Sequence, residues 1–128
     1  MWLYTKHGFV SMVRHRDKPD TLIIRARRER HLRDIVINPL SESDERPAIQ
    51  HTPEGDYPWR CEVSVSCAAD LVREIVHEIF YDNFKNACHR THPDDHDYQT
   101  TLRHTWSTAV RELGAGRAYA HSGRSDAS

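Results

Sequence analysis

The chain has 128 residues, 38% of them hydrophobic and 29% charged, with a net charge of −1. That length suits one domain, and that balance excludes both a disordered polyelectrolyte and a chain without a core. The near-neutral total conceals an asymmetry: residues 1–33 carry nine Lys or Arg against Asp17, Asp20 and Glu29, whereas residues 34–128 carry nine against sixteen acidic residues. Such segregation favours an anionic partner for the opening segment.

Residues 1–6 and 9–15 read as two strands reversing at His7-Gly8, where glycine permits a tight turn. "RDKPD" at 16–20 reads as a second turn, and "TLIIRAR" at 21–27 as a third strand rich in β-branched residues. From Glu29 to about Leu40, the spacing of Leu32, Ile35 and Val36 predicts a short helix that Pro39 stops. The segment 41–56, with Pro47, Pro53 and Gly55, reads as a long surface loop with room for a short strand near Ile49.

"WRCEVSV" at 59–65 alternates strictly, placing Trp59, Cys61, Val63 and Val65 on one face and Arg60, Glu62 and Ser64 on the other. Ser66 then reads as the N-cap of a helix whose buried stripe runs through Leu71, Val72, Ile75, Val76, Ile79 and Phe80. Residues 81–90 continue as a turn or short helix. Tyr98, Leu102, Trp106, Val110 and Leu113 define a last amphipathic helix that Gly114 ends, and residues 115–128 read as a disordered tail. This order predicts an α+β fold over residues 1–114: a two-layer sandwich with a mostly antiparallel four-stranded sheet and helices on one face. A right-handed crossover would join the third and fourth strands if they lie parallel.

No apolar run approaches the length of a membrane span, and the N-terminus has no secretory pattern, so a cytoplasmic location is expected. Three cysteines, an odd number with no C-x-x-C pair, argue for reduced thiols rather than a disulfide framework. No glycine-rich phosphate loop or G-x-S-x-G elbow is present, which disfavours nucleotide-driven and serine-hydrolase chemistry. The expectation is a non-catalytic protein without a cofactor.

Two charged clusters compete as sites. In "HRTHPDDHDY", His89, His92, His96 and Asp97 have the chemistry of a metal centre for a metal-dependent hydrolase or nuclease, but Pro93 breaks the helix that would align them. Pro93 and the aspartates after it fit a helix start near Asp95 equally well. The other cluster is the opening meander. Alternation there would gather Trp2, Tyr4, Lys6, Arg14, Arg25 and Arg27 into an aromatic and basic surface flanked by Arg28, Arg30 and Arg33, able to hold phosphates and stack bases. Alternatively, Trp2 and Tyr4 enter the core and the arginines pair with the chain's own carboxylates. Strand pairing into a homodimer is a further option.

"MWLYTKHGFVSMV", "LIIRAR", "DYPWRCEVS" and "YDNFKNA" resemble a family of short, uncharacterised bacterial and phage proteins with W-x-x-T-x-x-G-F-x-S, D-Y-x-x-R and D-x-N-F-K segments. The positions carrying this resemblance are Trp2, Thr5, Gly8, Phe9, Ser11, Arg25, Arg27, Asp56, Tyr57, Arg60, Asn83, Phe84 and Lys85. The resemblance implies no reaction. Its phage members imply one concrete version of the binding role, an anti-CRISPR-like inhibitor of host defence acting on nucleic acid or a nucleic-acid-handling complex.

Overall fold

The computed structural model describes residues 1–114. The chain divides into two compact units, Met1–Thr91 and a second beginning at His92. The expected tail at 115–128 lies outside the described residues.

The first unit is built on a five-stranded antiparallel sheet in the order β1-β2-β3-β5-β4, formed by β1 (Trp2–Thr5), β2 (Gly8–Arg14), β3 (Thr21–Ala26), β4 (Gln50–His51) and β5 (Trp59–Ser64). The α+β class holds, with one strand more than the four expected. The extra strand, β4, is the two-residue edge contributed by the 41–56 loop. β3 and β5 pair antiparallel, from Thr21 opposite Ser64 to Ala26 opposite Trp59, so no parallel crossover exists between them.

The β1–β2 reversal turns on Thr5 and Gly8. Thr5 is buried, and its Oγ1 accepts the N–H groups of His7 at 3.0 Å and Gly8 at 3.2 Å. Gly8 has φ +148°, and a Cβ there would overlap the imidazole of His31. His31 is itself buried, and its Nδ1 accepts the Phe9 N–H at 3.2 Å. This turn fixes the register that sets Tyr4 opposite Phe9 and Trp2 opposite Ser11.

One helix turn, α1 (Glu29–Leu32), runs directly into a π-helical turn at Arg33–Ile37, closed by the i→i+5 bond from Asn38 N–H to Arg33 O at 2.7 Å. The wider turn lets the consecutive residues Ile35, Val36 and Ile37 all be buried, a pattern that simple helical spacing does not produce. α2 (Val65–His77) starts two residues earlier than the sequence suggests. Ser64, not Ser66, caps it, with its Oγ accepting the Cys67 N–H at 3.0 Å. α2 also stops before the end of the expected stripe. Leu71 is buried, but Val76, Ile79 and Phe80 are exposed.

The core joins Val10, Met12, Ile24 and Cys61 from the sheet to Leu32, Val36, Cys67 and Leu71 from the helices. At about 1.5–3 kcal/mol per fully buried aliphatic side chain, this layer supplies most of the drive for folding the unit. α3 (Phe84–Thr91) is the short helix expected over residues 81–90.

The second unit holds α4 (His96–Leu113), whose N-cap is Asp95 with Oδ1 accepting the Tyr98 N–H at 3.3 Å. Asp97 in the first turn adds negative charge at the positive helix end. Gly114 is its C-cap, as expected. No helix among the described residues is long and apolar enough to cross a membrane.

Candidate nucleic-acid interface

Strand alternation and pairing decide which side chains share a face. The side of the sheet that meets α1 and α2 takes Val10, Met12, Ile24, Ala26, Cys61 and Val63. The other side takes Trp2, Tyr4, Phe9, Ser11, Arg25 and Arg60, because each is one residue out of phase with that core set.

On this outer face the aromatic rings form a connected group. Tyr4 stacks on Phe9 with centroids 4.5 Å apart and planes 14° apart, and Trp2 meets Phe9 edge-on at 6.0 Å. Tyr57, from the loop before β5, lies 6.4 Å from Phe9. Trp2 stays 66% exposed, so its ring is not part of the core.

Beside the rings lies a cationic pair. Arg25 and Arg60 are direct cross-strand partners in the β3–β5 register. Arg25 donates from one terminal nitrogen to Ser11 Oγ at 2.9 Å, and its guanidinium sits 4.5 Å over the Tyr57 ring. The Nε atoms of both arginines are buried with no hydrogen-bond partner among the described residues. Like charges directly opposite one another on a sheet repel. The nearest carboxylate along β5 on this side, Glu62, is already engaged: Lys18 Nζ donates to it at 2.8 Å and His15 Nε2 lies 3.6 Å away. The Lys18 hydrogen bond and charge hold the Glu62 carboxyl below its ordinary range, against a smaller opposing effect of burial.

The structure thus brings together only part of the surface expected from sequence. Trp2, Tyr4 and Arg25 share it. Arg27 follows β3 in the same phase, and its guanidinium donates to the backbone oxygen of Asp56, tying down the loop that carries Tyr57. Lys6 lies in the turn beyond the end of β1. Arg14 does not belong: it pairs opposite Leu22 in phase with Val10 and Met12, on the helix side of the sheet. Arg28, Arg30 and Arg33 also leave the surface, because the helical segment they begin packs on that same side. Arg30 donates to His7 O at 3.1 Å and Asp34 Oδ2 at 2.8 Å, and Arg33 pairs with Glu29 at 2.7 Å.

Phe9, Tyr57 and Arg60 were missing from the sequence-derived surface. Arg60 was already visible on the polar side of "WRCEVSV", and only the antiparallel register sets it against Arg25. Trp2, Phe9, Ser11, Arg25, Tyr57 and Arg60 meet on this one face.

The histidine cluster does not assemble in the same way. His89 lies on α3, whereas His96 and Asp97 form the first turn of α4. Among the described residues, no group of three or more His, Cys, Asp or Glu side chains is placed to hold a metal ion. The cysteines are buried, and burial pushes the Cys61 thiol up to about 12 and the Cys88 thiol up to about 11, which keeps both protonated. No protein-family model, curated protein or solved structure matches the chain.

Proposed function

We propose that the outer sheet face binds single-stranded nucleic acid, without catalysis. The observation that carries this reading is the Arg25–Arg60 pair beside the Trp2–Phe9–Tyr4 ring group. Arg25 and Arg60 are like charges on directly opposed strand positions, and a phosphate bound against them would offset that repulsion and accept charge-assisted hydrogen bonds from their terminal guanidinium nitrogens. The exposed Trp2 ring offers a stacking surface to a neighbouring base, worth about 1–3 kcal/mol. A sheet displaying rings suits unpaired bases, whose π-faces are accessible, better than a duplex groove that admits a helix or ribbon.

The test is fluorescence anisotropy of a labelled mixed-sequence oligonucleotide, single-stranded or duplex, titrated with the full chain at several salt concentrations. Two phosphate contacts on a single strand give a slope of log K against log salt of about −1.4. Trp2→Ala and Arg60→Gln, both checked for unchanged circular dichroism, should each weaken single-strand binding about tenfold or more. Equal affinity of wild type and both variants would reject the face as the binding site. Preference for duplex would reject the stacking mode. The anti-CRISPR-like version of this role rests on the resemblance alone, and inhibition of a purified nucleic-acid-guided nuclease complex by the wild type but not by Arg60→Gln tests it.

A further inference from the structure

On the helix side of the sheet, a cavity of about 200 Å³ opens between the segment after α1 and the exposed flank of α2. Its apolar wall comes from Ile35, Leu40, Leu71 and Ile75. Five of the other eight lining residues are acidic, Asp34, Glu45, Asp70, Glu74 and Glu78, and neither Lys nor Arg is among them.

Two of these carboxylates are compensated. Asp34 accepts from Arg30 at 2.8 Å and from Asn38 Nδ2 at 3.2 Å, and Glu78 meets His7 Nε2 at 2.9 Å. Asp70 and Glu74 are not, their carboxylates taking part in no hydrogen bond or ion pair among the described residues. Glu45 accepts from Ser64 Oγ at a long 3.5 Å and from the Cys67 thiol. Cys67 lines the same cavity, and its thiol is pushed above the ordinary value first by burial and then by the charges of Glu45 and Asp70.

We propose that this cavity binds a small organic cation: a protonated amine carried on an aromatic or branched apolar body. An apolar cavity of about 150 Å³ takes up benzene. One of about 200 Å³ therefore holds a single ring with a short arm, and is too small for a nucleotide or a drug-sized ligand. The apolar body would lie against Leu71 and Ile75, with the ammonium at the rim beside Asp70 and Glu74. A metal ion or a bare polyamine would leave the apolar wall unused, and an anionic ligand would be repelled. The site faces away from the ring-bearing sheet face, and its occupancy does not depend on nucleic-acid binding.

The test uses the full chain and three probes of matched size, phenethylammonium, neutral 2-phenylethanol and anionic phenylacetate, followed by amide chemical shifts in heteronuclear NMR. Phenethylammonium should produce saturable shifts centred on Leu71 and Ile75, and bind about tenfold more tightly than 2-phenylethanol at low salt. Phenylacetate should not bind. Both Asp70 and Glu74 are exposed, so an Asp70→Asn/Glu74→Gln variant keeps the fold. That variant should lose the preference for the amine while holding the alcohol unchanged. Equal binding of amine and alcohol by the wild type, shifts centred elsewhere, or an undiminished amine preference in the variant would overturn the proposal.

Discussion

Gly8→Ala is the sharpest test of how the outer sheet face is held in place. At φ +148° the backbone occupies a region that L-residues with a Cβ rarely adopt, and imposing it costs about 1–3 kcal/mol. The new methyl would also overlap the His31 ring, whose Cβ lies 2.8 Å from the built position. His31 has little freedom to withdraw. It is only 5% exposed, and moving it sacrifices the bond from Phe9 N–H, a net loss of about 1 kcal/mol plus the cost of stranding a buried donor. Overpacking of this kind costs about 1–3 kcal/mol, so together with the backbone strain the whole effect should reach roughly 2–6 kcal/mol. The assay is urea unfolding followed by tryptophan fluorescence. With a slope of about 1–3 kcal/mol per molar urea, the midpoint should fall by about 1 M or more. The same substitution in a His31→Ala background should cost at least about 1 kcal/mol less, because the overlap is gone and only the dihedral strain remains. A midpoint shift below about 0.2 M, or an equal cost in both backgrounds, would refute the packing argument.

Burial holds the Cys61 proton to about 12, above the ordinary thiol value of 9.0, so folding favours the protonated thiol. Its contribution is fully present below pH 9.0 and is lost as the pH rises through about 12, with a slope of up to about 1.4 kcal/mol per pH unit. Cys61→Ala should therefore flatten the alkaline fall in stability measured by urea titrations at successive pH values. Glu62 has the opposite sign: its folded value is depressed by Lys18, so its contribution is present above the ordinary carboxylate range and is lost as the pH drops through the folded value. Lys18→Ala should move the Glu62 carboxyl titration upward in NMR and cost less than about 1 kcal/mol at neutral pH, since the lysine is 62% exposed. Arg60→Gln should raise the stability of the free protein by roughly 0.5–1 kcal/mol by removing a like-charge cross-strand pair, even as it weakens binding.

Local signals in the sequence located most elements. The alternation of "WRCEVSV" and the glycine between the first two strands stand as β5 and the β1–β2 reversal, and Asp95 caps the last helix. What was illegible depends on non-local pairing. Nothing within residues 21–27 or 59–65 says that β3 and β5 run antiparallel, and that one choice sets Arg25 against Arg60. Arg14 shows the same limit: its phase with Val10 and Met12 was plain, but its exclusion from the surface follows only once α1 and α2 are known to cover that side. The stripe through Phe80 misled because helical spacing registers an amphipathic pattern, not what covers it. Phe80 is 94% exposed, beyond the last residue of α2. The π-helical turn was hidden because its three adjacent buried residues match neither a strand nor an α-helix.

On the outer face, stability and the proposed binding role pull against each other. A sheet selected only for stability would place a carboxylate opposite Arg25, as Lys18 and His15 are placed around Glu62. Instead Arg60 occupies the position, and both Nε atoms stay unpartnered among the described residues. Buried donors of this kind cost about 1–3 kcal/mol each when unmet, a large share of the margin by which a fold of ordinary stability stands. The surrounding contacts hold that arrangement in place. Ser11 and the Tyr57 ring fix the Arg25 guanidinium, and Arg27 anchors the loop that delivers Tyr57. Under the proposed function, an anion bound there would meet donors already oriented, so little side-chain entropy would oppose its capture. The neighbouring rings would then favour anions joined to a flat apolar group, as in a nucleotide chain.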